Sequence, residues 1–143
     1  MFVYAFLDLN TAQSKARQAS YNGRQGHLLT IASSKELDFV KETFVFESAW
    51  VAASDVVNEG SWKWTAGTLE SQTVDESLFA ENEPNGDTSI NCAMLTGEGL
   101  KDRPCTNVAS YIVKFPGMNG SCLFVCCSFS GFFFIIHLID SLP

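Results

Sequence analysis

The residues best suited to do chemistry in this chain are carboxylates and amides, and they are concentrated in one stretch. Between Trp64 and Leu100 the sequence has seven acidic residues and no Lys or Arg, whereas the rest of the chain balances nine acids against nine bases. Glu83 and Asn85 flank Pro84 here, and Asp87 follows two positions later. An acidic field of this kind suits cations, so one interpretation of the pattern is a cation site. The alternative interpretation is a solvated acidic face.

The overall charge and composition exclude other classes of function. The chain has 143 residues and a formal net charge of −7, and no basic stripe with interleaved aromatic residues. A local acidic field of this kind opposes binding to nucleic acid. At 46% hydrophobic and 13% aromatic residues, the length predicts one domain with a substantial core.

An enzymatic interpretation has little support in the sequence. A hydrolase could use Glu81 and Glu83 as paired carboxylates, but neighbouring acids are common in loops. His27 begins an apolar segment and has no Cys or Ser near it in sequence that could act as a nucleophile. We therefore predict a binding module and not an enzyme.

The five cysteines form two groups. Two lie in the polar half and three lie in or beside an apolar tail: Cys92 and Cys105, then Cys122, Cys126 and Cys127. With five thiols, at least one cannot pair within the chain. There is no CxxC spacing, and the only histidines are His27 and His137, so the sequence does not predict a zinc site.

Two helices are predicted in the first third of the chain. Ala12, Ala16 and Ala19 recur at helical spacing within residues 11–21, and the pair Asn22-Gly23 is expected to end that helix. A short strand is predicted from His27 to Ala32. Ser33 followed by Glu36 forms a capping box that opens a second helix reaching about Phe44.

Short strands and a long loop are predicted in the rest of the domain. The strand-like pieces are "AWVAASD", "SWKWTAG", "NCAML" and "SYIVKF". The segment 67–91 between them is too long for an ordinary connection, and a loop of this length in a compact domain is usually functional. The opening segment "FVYAFLDLN" has no basic region and no cleavage-like site, so it is interpreted as a strand and not as a signal peptide.

The run from Leu123 to Ile139 has 17 residues and no formal charge. This length is at the short limit for a membrane span. Three interpretations remain open: a membrane anchor, a non-native or truncated terminus, and a core strand. We predict a domain at residues 1–116 and an apolar tail at residues 117–143.

The order of these signals resembles a C-type lectin-like domain from about Val3 to Phe115. The residues that carry the resemblance are "GHLLTIASSKEL", "WVAASDVVNEGSWKW", "EPN" and "NCAML…DRPC…YIVKF", in the family's order. The resemblance implies an α+β fold in which two helices flank short antiparallel strands with a long loop region. It also implies a disulfide between Cys92 and Cys105. A second disulfide of the common pattern is replaced by the apolar residues Ala19 and Val113, as in the family branch that lacks it.

The resemblance also implies a role for the acidic stretch. In sugar-binding members, the residues that match Glu83 and Asn85 hold calcium and bind two sugar hydroxyls, and Asp102 matches a further ligand. The order Glu-Pro-Asn resembles the mannose, fucose and N-acetylglucosamine type, and Pro84 can lock a cis peptide. Two expected ligands are missing, because Ile90 and Lys101 stand at their positions; Asp87 is a candidate substitute.

A second, auxiliary calcium site is suggested by Asp55 and Glu59, with Asp87 and Asn91 as candidate partners. The simpler interpretation is that Asp55 and Glu59 make turn hydrogen bonds before Gly60.

The resulting function hypothesis is a carbohydrate-binding module, calcium-dependent, that acts outside the cell or at its surface on glycans or glycoproteins. The alternative is a calcium-independent domain that binds protein or another surface. Contact with a membrane would run through the apolar tail.

The predicted domain boundary can be tested by truncation. A chain that ends at Pro116 should unfold cooperatively and stay soluble at higher concentration than the full chain, because the removed run offers mainly exposed apolar surface. Thermal unfolding and sedimentation of both chains measure this. Loss of cooperative unfolding on truncation would show instead that the run belongs to the core.

Overall fold

The fold combines two α-helices with a mixed β-sheet. The computed structural model describes residues 6–44 and 46–117, together with the backbone of two strands at residues 122–126 and 134–139. The helices are α1 (Leu9–Gln18) and α2 (Ser34–Thr43). The strands are β1 (Ser20–Tyr21), β2 (Arg24–Gln25), β3 (His27–Leu28), β4 (Ser48–Ser54), β5 (Lys63–Trp64), β6 (Cys92–Thr96), β7 (Gly99–Arg103), β8 (Ser110–Pro116), β9 (Cys122–Cys126) and β10 (Phe134–Ile139).

The main sheet has the strand order β10-β9-β8-β4-β6-β7, with β3 paired to β8 and β5 paired to β4. All of these pairs are antiparallel except β4 and β8, which run parallel in register Ala49 to Ser110. The predicted antiparallel strands are therefore present, and one parallel pair makes the sheet mixed. Between β4 and β8 the chain forms β5, the acidic loop, β6 and β7. Strand β8 then returns beside β4 and runs in the same direction.

Strand β4 explains why the two helices lie on opposite faces of the sheet. Ala49, Val51 and Ala53 pack in an apolar cluster with Leu37 and Val40 of α2. The alternating residues Trp50 and Ala52 pack in a second cluster with Leu9, Ala12 and Ala16 of α1. Successive side chains of a strand point to opposite faces, so an almost wholly apolar strand must be covered on both sides.

The first helix ends earlier than its alanine pattern predicted. Asp8 caps α1 by accepting a hydrogen bond from the Thr11 N–H, and Gln18 is the last helical residue. Residues 20–25 instead form the hairpin β1–β2, with Asn22 and Gly23 at φ 48° and 76°. Asn-Gly is a strong signal for a two-residue hairpin turn, and this local preference outweighed helical continuation.

The second helix confirms half of the predicted capping box. The Ser33 hydroxyl accepts a hydrogen bond from the Glu36 N–H at 3.2 Å. The Glu36 carboxylate accepts from the Ala32 N–H at 2.6 Å, and not from Ser33 as a full capping box requires. Its other oxygen pairs with Lys114 of β8, whose ammonium also donates to the Thr30 carbonyl oxygen at 2.9 Å.

Other expectations for the chain ends meet the limits of the described residues. Of the predicted first strand, residues 1–5 lie outside the described part, and Leu7 makes a single antiparallel bridge to Ala109. In the apolar run, β9 pairs with β8 and β10 pairs with β9, and residues 127–133 lie outside the described part. Within the described residues, no helix has the length and apolar character needed to cross a bilayer. The domain boundary at residue 116 stays a prediction.

The buried ion pair between Glu36 and Lys114 generates a stability prediction. Lys114→Met leaves the Glu36 carboxylate buried without its cation, which should lower the free energy of unfolding by about 3–5 kcal/mol. Glu36→Met in the same chain should restore part of that loss, because it removes the unpaired buried charge, while the Ala32 N–H and the Thr30 carbonyl oxygen still lack their side-chain partners. Urea denaturation measures both, with Glu42→Gln on the exposed face of α2 as the control. Equal effects of Lys114→Met and Glu42→Gln would contradict the prediction.

Candidate functional site

The acidic loop is held against the sheet by backbone contacts at its centre. The segment 67–91 contains two short 3₁₀ helices, Gly67–Leu69 and Glu76–Leu78, and Val74 and Leu78 enter the apolar cluster under α2. The Ala80 N–H then donates to the Leu100 carbonyl oxygen at 2.9 Å. This close approach requires Gly99, because a Cβ there would lie 2.9 Å from the Ala80 nitrogen. The loop therefore reaches the start of β7 directly before the Glu-Pro-Asn motif.

The Asp102 carboxylate fixes the motif itself. Asp102 belongs to β7 and is 2% exposed. Its Oδ2 accepts hydrogen bonds from the backbone N–H groups of Asn85, at 3.1 Å, and of Gly86. Gly86 permits this contact, since a Cβ at that position would lie 2.5 Å from Asp102 Oδ2 and 2.6 Å from Ile90 Cβ. The three predicted site residues Glu83, Asn85 and Asp102 are thus brought together, and the Glu83-Pro84 peptide is cis, as the motif indicated.

Two oxygens at this site are buried and accept no hydrogen bond. They are Glu83 Oε2 and Asp102 Oδ1. Burial and the neighbouring Asp102 carboxylate raise the pKa of Glu83, although Arg103 acts in the opposite sense. Burial pushes the pKa of Asp102 upward, but the Glu83 carboxyl group and the N–H groups of Gly86 and Asn85 hold it below its ordinary value. The pair is therefore poised to accept a proton or a cation between the two side chains.

The amide of Asn85 is oriented for an oxygen ligand role. Its Nδ2 donates to the Asn82 carbonyl oxygen at 3.2 Å, and Asn82 adopts φ 61° to present that oxygen. The Asn85 Oδ1 atom is consequently the end of the amide that a ligand can reach. The side chain is exposed, so it lies at the rim of the site and not within it.

The donor atoms of this site suit calcium in type, but they are fewer than the roughly six to eight oxygen ligands that calcium takes. The carboxylates of Glu83 and Asp102, the Asn85 amide and nearby carbonyl groups are the oxygen ligands that calcium prefers. The unpartnered oxygens Glu83 Oε2 and Asp102 Oδ1 are the atoms such a cation would satisfy. Across the described residues, however, no three His, Cys, Asp or Glu side chains are grouped closely enough to hold a metal ion.

Ile90 and Lys101, which stand where the family resemblance implied ligands, have different surroundings in the structure. Ile90 lies beside the site, because a Cβ atom on residue 86 would contact both the Ile90 side chain and Asp102 Oδ2. The Lys101 ammonium forms an ion pair with Glu98 of the β6–β7 hairpin. Ile90 thus places an apolar side chain beside the site, whereas the charge of Lys101 is compensated by Glu98.

Arg103 is the cation that contacts the site, and the sequence pattern did not predict a role for it. Its Nη1 lies 3.5 Å from Glu83 Oε1 and 4.0 Å from Asp102 Oδ1. Nη1 also donates to the Asp102 carbonyl oxygen. One signal was present in the sequence: Lys101 and Arg103 are the first bases after the base-free stretch that ends at Leu100.

Asp55, a candidate ligand of the auxiliary calcium site, makes the predicted turn hydrogen bond and also has a buried oxygen that accepts none. Asp55 is 2% exposed, and its Oδ2 accepts from the Gly60 N–H at 2.9 Å, which is the turn bond. Its Oδ1 is buried and accepts no hydrogen bond. Partial desolvation and the charges of Asp55, Asp87 and Asp102 raise the pKa of Glu59, so these acids share one electrostatic field.

The remaining candidates of the acidic loop are occupied by local bonds. Asp87 Oδ1 accepts from the Ser89 N–H at 2.9 Å and from the Ser89 hydroxyl at 2.6 Å. These bonds lower the pKa of Asp87, so its carboxylate is charged at neutral pH. Asn91 Nδ2 donates to the Thr88 carbonyl oxygen at 2.8 Å. In this arrangement Asp87 stabilises its own turn, and its second oxygen is the atom left for a cation.

A disulfide joins β6 to the loop after β7. Cys92 is bonded to Cys105 with their Cα atoms 5.2 Å apart, as the sequence resemblance implied. At the positions of the absent second disulfide, Val113 is buried in the cluster under α1 and Ala19 packs against the same cluster. Apolar packing in this cluster therefore stands at the positions where a second bridge would join the end of α1 to β8.

Comparison with known proteins identifies a family and relatives for this chain. The Lectin C-type domain family matches residues 10–115. Halomucin of Haloquadratum walsbyi is 33% identical over 78% of this chain, and CD209 antigen-like protein C of Mus musculus is 31% identical over 64% of it. The matched region is 1% of halomucin and 52% of the mouse protein.

A solved structure has the same fold. The cow C-type carbohydrate-recognition domain of CD23, determined in the presence of GlcNAc2Man3 oligosaccharide, superposes with a TM-score of 0.64 at 24% identity. The superposition covers 78% of this chain and 81% of the cow domain. With a family match over most of its length and this shared fold, the chain belongs to the C-type lectin domain family.

Proposed function

We propose that this domain is a carbohydrate-binding module of the mannose, fucose or N-acetylglucosamine type, with Glu83, Asn85 and Asp102 as its sugar-binding residues. The observation that carries the proposal is the pair of buried, unpartnered oxygens, Glu83 Oε2 and Asp102 Oδ1, beside the Asn85 amide. Family membership makes the chain a binding module and not an enzyme. The cow CD23 domain was determined in the presence of an oligosaccharide that contains mannose and N-acetylglucosamine, which supports the choice of sugar class.

The chemistry of the site supports a calcium-dependent mode of binding. Glu83, Asn85 and Asp102 would hold the ion, and calcium supplies open coordination positions that vicinal sugar hydroxyls can fill. The chain's own groups provide the orientation: Asp102 fixes the backbone of Asn85 and Gly86, and Asn82 turns the Asn85 amide. Asp87, Asp55 and Glu59 form the second group of acids, proposed as an auxiliary cation site.

The domain is proposed to act outside the cell or at its surface, on glycans or glycoproteins. The Cys92–Cys105 disulfide supports this location, because such bonds persist in oxidising compartments. The activity, partners and location of any larger protein are part of the same proposal, since the matched curated relatives are longer than this chain.

A calcium-independent binding module is the second candidate. Two observations favour it: Ile90 contributes no ligand, and Arg103 already places a positive charge against Glu83 and Asp102. Such a module would use the loop as scaffold and bind protein or another surface. Retention on immobilised mannose and release by a chelator would favour the first candidate over the second.

The calcium site predicts a thermal shift with a matched control. Calcium at millimolar concentration should raise the melting temperature of the chain, because a ligand bound only by the native state stabilises it. Glu83→Gln should abolish this shift by removing a ligand charge. Glu81→Gln, which changes an exposed acid two positions earlier, should leave the shift unchanged. Identical shifts for the two variants would show that the ion binds elsewhere.

The missing ligand predicts a gain of affinity. Ile90→Glu with Lys101→Asn should tighten calcium binding at least about tenfold, or 1.4 kcal/mol, and strengthen retention on mannose. Most of the gain should come from Ile90→Glu, because Lys101 is paired with Glu98. Calorimetry on the double variant and on Lys101→Asn alone measures both contributions. A double variant that binds calcium no better than the natural chain would make the calcium-independent module the better account.

A further inference from the structure

Glu83 and Asp102 need a positive charge whether or not a metal is bound. Both carboxylates are within a tenth of full burial, at 9% and 2% side-chain exposure, and each has one oxygen that accepts no hydrogen bond. Two buried carboxylates side by side repel each other and are poorly hydrated, so an uncompensated pair destabilises the fold. In the metal-free domain this repulsion can be reduced by a proton shared between the two carboxyl groups or by a positively charged side chain.

We propose that Arg103 is the internal counter-cation of this site, holding it together without metal and setting how tightly it binds calcium. The part of this inference that concerns calcium affinity rests on the proposed function. The part that concerns metal-free stability rests on the geometry of the metal-free site alone. Arg103 Nη1 faces Glu83 Oε1, Asp102 Oδ1 and the Asp102 carbonyl oxygen, at 3.5 Å and 4.0 Å for the carboxylates. Carboxylate and carbonyl oxygens are also the ligands of calcium, so the guanidinium and the metal would bind the same two carboxylates and would share Asp102 Oδ1.

The surroundings of Arg103 show how a cation can replace it. The side chain is 36% exposed and also lines an open cavity of about 530 Å³ beside the site. Glu47, Thr106 and Asn107 line the same cavity. A guanidinium that leaves Glu83 and Asp102 thus has space to move into, and the acidic residue Glu47 lines the same space. Arg103 is a positioning residue in this scheme and does not contact the sugar.

Lys101 provides the contrast within the same strand. It lies two residues before Arg103 on β7, and its ammonium is paired with the exposed Glu98. A change of charge at Lys101 therefore alters the net charge of the domain as much as one at Arg103, without removing a contact to Glu83 or Asp102. Lys101→Gln is the matched control for non-specific electrostatics.

The experiment compares Arg103→Gln, Arg103→Lys and Lys101→Gln by melting temperature in chelator and by calcium calorimetry. Arg103→Gln should melt lower than Lys101→Gln without metal and bind calcium about tenfold more tightly than the natural chain, because one positive charge beside the divalent ion is gone. Arg103→Lys should retain most of the metal-free stability and the weak calcium affinity, since it keeps the charge.

Adding Glu83→Gln to Arg103→Gln tests the pairing even if calcium binding is absent. This double variant should recover part of the melting temperature lost by Arg103→Gln, because the carboxylate left unpaired is removed. Equal metal-free melting of Arg103→Gln and Lys101→Gln, with no recovery in the double variant, would overturn the inference. Unchanged or weaker calcium binding by Arg103→Gln in a chain that does bind calcium would overturn it as well.

The same data separate failure of this inference from failure of the proposed function. If no variant binds calcium, including Ile90→Glu with Lys101→Asn, the calcium-dependent function fails. The role of Arg103 is then decided by the metal-free melting temperatures alone. Loss of folding in Arg103→Gln, with rescue by the double variant, would support the counter-cation role.

Discussion

The site depends on one carboxylate that belongs to the sheet and bonds to the loop. Asp102 is fixed in β7 by pairing with Ala93 of β6, and its Oδ2 accepts the backbone N–H groups of Asn85 and Gly86. The acidic segment also has backbone hydrogen bonds within itself and to Leu100, and at the Glu-Pro-Asn motif the Asp102 contact ties it to the sheet. Because the acceptor is charged and buried, each bond is stronger than a neutral one. The loop is ordered at this point by the sheet.

The same burial that makes Asp102 a firm anchor creates the requirement for a cation. Glu83 places a second carboxylate next to Asp102 where water has little access. Hydration therefore compensates little of the cost of burying the two charges. A divalent ion, a shared proton and the Arg103 guanidinium all meet this requirement. A cation bound to the Asp102 carboxylate would therefore also affect the loop, because the same carboxylate holds the N–H groups of Asn85 and Gly86.

The scaffold beneath the site is stabilised by means that the site does not use. Apolar residues of β4 fill both faces of the sheet, and the ion pair between Glu36 and Lys114 joins α2 to β8. The Cys92–Cys105 bond closes the β6–β7 region, which on the chain-entropy estimate stabilises the fold by about 3 kcal/mol.

Local patterns in the sequence determined the elements and the chemical class of the site. Alanine spacing, the Ser33 cap and apolar strand patterns are short-range signals, and they predicted both helices and most strands. The family resemblance, carried by motifs such as Glu-Pro-Asn, implied the disulfide and the grouping of Glu83, Asn85 and Asp102. The end of α1 was missed because a hairpin turn at Asn22-Gly23 outweighed helix propensity. Only the tertiary structure decided the parallel pairing of β4 with β8, the partner of each cation and the burial of two unpartnered oxygens. Lys101 and Arg103 look equivalent in sequence, but one pairs with Glu98 and the other with Glu83 and Asp102. Charge partners depend on distances across strands and loops, and those distances are fixed by packing that no local pattern contains.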